Sequence, residues 1–149
     1  MKKLSRVASM LGLVALSLNL TSCLKKVTFD DFCTAAKNKT KEEYTKVTFS
    51  GKVKNEGLTL DMEGTSATWK DDDWDVTGSA LQIVMGAALV SITVDTYTVK
   101  EDTSLNYYTG SGFKIEDKDN SKSYTEFNSS GYFVLVTDGT NTLKASWSK

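Results

Sequence analysis

From Val47 to the end of the chain, apolar and polar side chains exchange places with a period of two. Val47, Phe49, Gly51 and Val53 alternate with Thr48, Ser50 and Lys52. Leu58, Leu60 and Met62 alternate with Thr59, Asp61 and Glu63, and Leu143, Ala145 and Trp147 with Thr142, Lys144 and Ser146. Such a pattern suits a strand with one face in a core and the other in water, the habit of antiparallel sheets. Turn signals divide the stretch: Asn55-Glu56-Gly57, the four residues between Trp69 and Trp74, Gly110-Ser111-Gly112, and the segments 117–122, 128–131 and 138–141. Between them, 105–109, 112–116, 124–127, 132–136 and 143–147 are expected strands. The chain has no proline, so nothing interrupts strand pairing by removing a backbone donor.

Two windows keep a different period. Thr28 is placed to cap a helix whose first turn holds Asp30 and Asp31, and Phe29, Phe32, Cys33 and Ala36 fall on one face. Helical character is expected to run through Glu43. Cys33 reads as a small core residue on that stripe. The most apolar stretch of the body, 80–94, is expected to form a helix from about Ser79 to Leu89 and a strand from about Ser91. A buried strand throughout is the alternative, since periodicity does not separate the two. The expected fold class is therefore α+β: a curved antiparallel sheet packed on an N-terminal helix and a second short helix, in one domain spanning 28–149.

The first 23 residues carry an address. Lys2, Lys3 and Arg6 precede a mostly apolar run from Val7 to Leu20, which is short for a membrane span and followed by small residues. Leu20-Thr21-Ser22-Cys23 resembles the lipobox of bacterial lipoproteins: an aliphatic residue, two small ones, then cysteine. The resemblance implies a signal peptide over 1–22, diacylglycerol on the Cys23 thiol, and cleavage between Ser22 and Cys23. It places the mature protein on the extracytoplasmic face of the cell membrane, held by acyl chains. More than one chain is needed for a lasting anchor, because each buried methylene contributes only about 0.8 kcal/mol. Residues 23–27 are expected to be a short tether, with Lys25 and Lys26 near lipid headgroups.

The order of elements, one helix and then a long meander, is similar to the half-barrel lipoprotein carriers and chaperones of the LolA and LppX-like group. Tyr107-Tyr108-Thr109-Gly110, Gly112-Phe113-Lys114-Ile115, the segment 124–131 and Ser146-Trp147 also resemble small lipoproteins of Gram-positive-type bacteria. The short tether, the expected concave sheet and the apolar stretch 80–94 suggest an apolar or amphiphilic ligand held near the membrane.

Chemistry is sparsely signalled. The 149 residues contain no histidine, the commonest general base and metal ligand. Without Lys2, Lys3 and Arg6, 15 basic side chains face 19 acidic ones, a balance that disfavours nucleic acid as a partner. Asp71, Asp73 and Asp75 match the first odd positions of a calcium loop, but Val76 stands where glycine is needed and Gln82 where a bidentate Glu is needed. Asp117 and Asp119 read as another solvated turn. No SxxK motif marks a serine nucleophile, and Gly110-Ser111-Gly112 lies between expected strands where it opens no phosphate-binding helix. No catalytic residue, metal or cofactor is assigned. The three Trp, six Tyr and six Phe either fill the core or line a cavity. The leading expectation is a non-enzymatic surface lipoprotein that binds an apolar or amphiphilic small molecule near the membrane. Its rivals are a structural or adhesion module engaging a partner protein or glycan through a sheet face, and a hydrolase with a polar cleft.

Overall fold

The computed structural model describes residues 23–149; the expected signal peptide 1–22, with Ser22, lies outside them. In chain order the elements are β1 (Lys25–Val27), α1 (Phe29–Lys37), β2 (Lys46–Asn55), β3 (Leu58–Asp61), β4 (Ser66–Lys70), β5 (Asp73–Thr77), α2 (Ala80–Val90), a 3-10 turn (Val94–Tyr97), β6 (Leu105–Thr109), β7 (Phe113–Asp117), β8 (Asn120–Phe127), β9 (Phe133–Thr137) and β10 (Thr142–Ser148). All ten strands join one open antiparallel sheet in the order β1-β6-β7-β8-β9-β10-β2-β4-β5, with β3 paired on β2 beside that path. Among the described residues the class is α+β with two α-helices.

Short turns set the register. The pairs Asn55↔Leu58 and Lys70↔Asp73 leave two-residue loops, and Glu56, Gly57, Asp71 and Asp72 all have positive φ. Two successive left-handed residues give the turn whose twist matches that of the flanking strands. Asp71 and Asp72 tolerate it because their short polar side chains clash little with the backbone. Gly51 has φ +102°, and a Cβ there would lie 2.1 Å from the Thr142 carbonyl oxygen, so only glycine lets β10 approach β2 at this point.

Both helices lie on the face that carries the core. α1 starts where Thr28 Oγ1 accepts a bond from the Asp31 amide at 3.1 Å, and it lays Phe32 against Tyr107 and Phe113 at ring distances of 4.8 and 5.8 Å. Phe32, Phe127, Phe133, Met62, Val47 and Val94 are fully buried. α2 begins with a reciprocal cap: Ser79 Oγ accepts from the Gln82 amide and Gln82 Oε1 from the Ser79 amide. Gly86 lets α2 sink onto Val76 and Phe49, since a Cβ there would meet Val76 at 2.7 Å.

Three expectations change. α1 stops at Lys37 instead of continuing to Glu43. Residues 38–43 offer no apolar stripe, and the Thr40 amide leaves the helix pattern to bond the Ser129 carbonyl. No strand starts at Ser91. β9 is already flanked by β8 and β10, so only Thr93↔Tyr132 forms an isolated bridge. Val94 then donates to the Gly131 carbonyl and turns into a 3-10 segment with its side chain over that glycine. Finally, Lys25–Val27, expected as tether, is the edge strand β1 paired to β6. Leu24 alone separates Cys23 from the sheet.

Candidate functional site

Antiparallel pairing sorts the strand termini into two ends. Lys25 pairs with Thr109, Thr109 with Phe113, Phe113 with Phe127 and Phe127 with Phe133. Ser148 pairs with Lys46, Lys46 with Thr68 and Lys70 with Asp73. Cys23 thus shares one end with the 110–112 turn, the 128–132 loop, the end of β10 and the β4–β5 turn. The opposite end holds the starts of β6 and β10 and the turns at 118–119 and 138–141.

At that opposite end, on the helix-bearing face, lies an apolar cleft of about 370 Å³. Val53, Leu105, Ile115, Val136 and Leu143 form its walls, and Asp117, Ser123, Asp138 and Asn141 border them. These wall residues lie on the inward face of β2, β6, β7, β9 and β10, toward the distal end of the sheet. The border is tied to the backbone. Asp138 Oδ1 accepts from the Thr140 and Asn141 amides at 2.8 and 2.7 Å, Asp117 Oδ1 from the Asp119 amide at 2.9 Å, and Asn141 Oδ1 from the Lys54 amide at 2.9 Å. Those backbone bonds hold the Asp138 carboxyl below the usual carboxylate range. A volume above 300 Å³ with apolar walls and a few polar groups is the usual form of a small-molecule site. Carboxylates at its edge favour a ligand whose apolar part ends in a hydrogen-bond donor or a cation.

A larger hollow of about 1250 Å³, with a mixed polar and apolar lining, opens on the sheet face that bears no helix. Thr48, Ser50, Glu126, Leu135, Lys144 and Ser146 contribute to its floor. Beside it Lys114 and Glu116 pair at 3.0 Å, only 14% and 12% exposed. The Lys114 ammonium lies 5.0 and 4.6 Å from the Tyr108 and Tyr124 ring centroids, and Tyr108 Oη donates to Glu116 Oε2 at 3.1 Å. Burial and that bond raise the Tyr108 phenol. The ammonium is therefore shielded by rings and a carboxylate, which compensates its loss of water. Thr65 Oγ1 is buried at the wall of the hollow with no hydrogen-bond partner.

The residues singled out from sequence fall as follows. Cys23 is exposed and unpaired, and its carbonyl lies so close to Gly110 that a Cβ on that glycine would be 2.2 Å away. Cys33 is half-buried beside the core, its thiol 3.7 Å from the Thr98 carbonyl oxygen, and burial pushes the thiol up. Asp71, Asp72 and Asp73 form a hairpin tip, and Asp117 and Asp119 a tight turn. Among the described residues no group of three or more His, Cys, Asp or Glu side chains is placed to hold a metal. No helix among them is long and apolar enough to cross a membrane.

Five aromatics instead form a continuous row across the Cys23 end. Tyr44 meets Tyr132 at 5.1 Å, Tyr132 meets Trp147 at 4.6 Å, Trp147 meets Trp74 at 5.5 Å and Trp74 meets Trp69 at 5.3 Å. The Trp147 indole N–H donates to the Phe133 carbonyl at 2.8 Å. Sequence reading missed the cleft and the row alike. Alternation marks which residues point inward, but not which strand ends stay only partly covered, and the row joins residues up to 103 positions apart (44 to 147). No family model, no curated protein and no solved structure matches the chain.

Proposed function

We propose that this protein is a lipid-anchored, extracytoplasmic binding module, attached through Cys23, that holds the apolar part of an amphiphilic small molecule in the cleft between Val53, Leu105, Ile115, Val136 and Leu143. It acts by binding and not by chemistry on the ligand. The cleft carries this reading: Val53, Leu105 and Val136 are only partly covered, with Ile115 and Leu143 buried behind them, and apolar area left in water costs roughly 25 cal/mol per Å², a cost that a bound apolar group removes. The exposed Cys23, one residue from the sheet, supports the anchor. β10 spans seven residues between the two ends, about 23 Å at 3.3 Å per residue, so the ligand is held at a distance from the anchor. Mass spectrometry of solvent extracts from the protein purified out of membranes tests the reading. A co-purifying amphiphile that disappears in a Val136→Phe variant is the expected result. A parent protein that carries none, and that binds no added fatty amine or fatty alcohol, rejects it.

The hollow on the helix-free face favours a second reading, recognition of a glycan or partner protein. Its hydroxyls at Thr48, Ser50 and Ser146 and its Lys144 ammonium suit a polar ligand. Glycan binding that survives Val136→Phe and fails in Lys144→Glu separates this reading from the first.

A further inference from the structure

The strand register gathers all three tryptophans of the chain at one place. Trp69 is next to last in β4, Trp74 second in β5 and Trp147 next to last in β10, and each of these strand ends belongs to the end that holds Cys23. Tyr44 precedes β2 and Tyr132 precedes β9 at the same end, and the five rings touch in sequence as described above. Trp69, the outermost, is 44% exposed, a large apolar surface to leave in water. The distal end has no counterpart: its turns carry Asp102, Asp117, Asp119 and Asp138.

Tryptophan and tyrosine concentrate where a bilayer meets water, because the ring is apolar and the N–H or O–H still finds polar partners in the headgroup layer. The chain itself says where a bilayer would meet this molecule. The apolar run 7–20 leads into Cys23, so lipid lies at this end whether acyl chains on Cys23 or that run makes the attachment. Leu24 is the only residue between Cys23 and β1, and the Cys23 carbonyl is seated on the 110–112 turn. A body attached so closely cannot stand off the surface.

We propose that the Cys23 end of the sheet lies against the bilayer, with the row Trp69–Trp74–Trp147–Tyr132–Tyr44 at the headgroup layer. The proposal rests on the anchor reading to the extent that the bilayer meets the chain near residue 23. Exposed Lys25, Lys26, Lys46 and Lys70 lie at this end, and Asp71, Asp72 and Asp73 at the β4–β5 tip offset them. The contact is therefore made by rings more than by net charge. Uncharged headgroups suffice, and added salt changes little. The cleft, at the other end, is left facing away from the membrane.

The tryptophans are their own reporters. The full chain is reconstituted into phosphatidylcholine vesicles, one set plain and one carrying bromine on acyl carbons close to the headgroup, and flotation records attachment. Tryptophan emission is expected to fall roughly twofold in the brominated set, and acrylamide to quench less than it does in solution. Trp69→Phe removes most of the lipid quenching while the protein still floats. Floating protein with equal emission in both vesicle sets and full access to acrylamide overturns the proposal. The same holds if the rings become shielded only as protein concentration rises without vesicles, which would mean a second copy covers them. Should the parent not float, the anchor reading fails by itself. The exposed Cys23 thiol is then coupled to a maleimide lipid in a Cys33→Ala background, and the same pair of vesicles decides the orientation.

Discussion

At the Cys23 end, five aromatic rings close over the strand termini; at the other, aliphatic walls stand open between aspartate-bearing turns. The elements that cross the core face account for the contrast. The loop after α1 is tied to the Cys23 end by the bond from the Thr40 amide to the Ser129 carbonyl, and the 3-10 segment by the bond from Val94 to Gly131. At the distal end the chain before β6 is tied to the β7–β8 turn by the bond from the Lys118 amide to the Ser104 carbonyl, and the cleft walls stay only partly covered. The turns there are held by carboxylates: Asp102 accepts from the Ser104 amide, Asp117 from Asp119, and Asp138 from Thr140 and Asn141. One end is stabilised by apolar burial, the other by charge-assisted bonds at exposed positions. The open end is the place for a ligand, because its apolar area still has a partner to gain.

The contrast predicts unequal costs for truncation. Trp147 touches Tyr44, Tyr132 and Trp74 and anchors its indole on Phe133. Trp147→Ala is therefore expected to lower unfolding free energy by about 3 kcal/mol, the low end for a large aromatic because this ring is half-buried. Leu105→Ala, at the cleft wall, is expected to cost about 1 kcal/mol, since the space beside it is already open and little new cavity is made. Urea unfolding of both variants checks the ratio. Equal losses would mean that the two ends are packed alike.

Gly110 gives a sharper probe of the Cys23 end. An alanine there would press on the Cys23 carbonyl and on Leu24. Because β1 is three residues long and lies at the sheet edge, the strain is expected to be relieved by loosening β1. Overpacking of this kind costs about 1–2 kcal/mol. Amide exchange should quicken at 25–27 and stay unchanged at the distal turns. Uniform acceleration along β6 would show that the strain spreads and that β1 is firmly held.

How much of this was legible beforehand follows from the range of each interaction. The caps of α1 and α2, the two-residue turns at Glu56-Gly57 and Asp71-Asp72, and the inward face of each strand are local, and local chemistry reveals them. The end of α1, the fate of 91–97 and the capture of Lys25–Val27 by β6 depend on partners distant in sequence. Ser91–Thr93 looks like a strand, yet β9 has no free edge for it. The cleft is harder still to read, since it arises from the incomplete cover over Leu105 and Val136. α2 shows the same limit in another form. It is apolar on every side, which suggests full burial, but Leu81 and Val84 are 66% and 69% exposed. Its ends are legible; its outward face is not.

Acid should separate the two ends with the smallest effect of the three. Bonds from Thr140 and Asn141 lower the Asp138 carboxyl, and the Ser104 hydroxyl and amide lower that of Asp102. A carboxyl held lower in the folded state than its ordinary 3.8 adds stability above that value and loses it as pH falls through the folded value. Asp138→Ala is accordingly expected to unfold at a lower temperature than the parent at neutral pH. The gap should narrow to about the Asp138→Asn level once pH is well below 3.8, where the parent carboxyl is protonated and its carbonyl oxygen accepts without the charge. Asp138→Asn should fall between, because its side-chain oxygen still accepts from the two amides without the charge. Both groups are exposed, so solvent screening keeps the effect modest. The aromatic row has no carboxylate in its ring contacts, and the Trp147→Ala deficit should persist across the same range. A Trp147→Ala deficit that shrank in acid along with that of Asp138→Ala would erase the distinction between an end held by burial and an end held by charge.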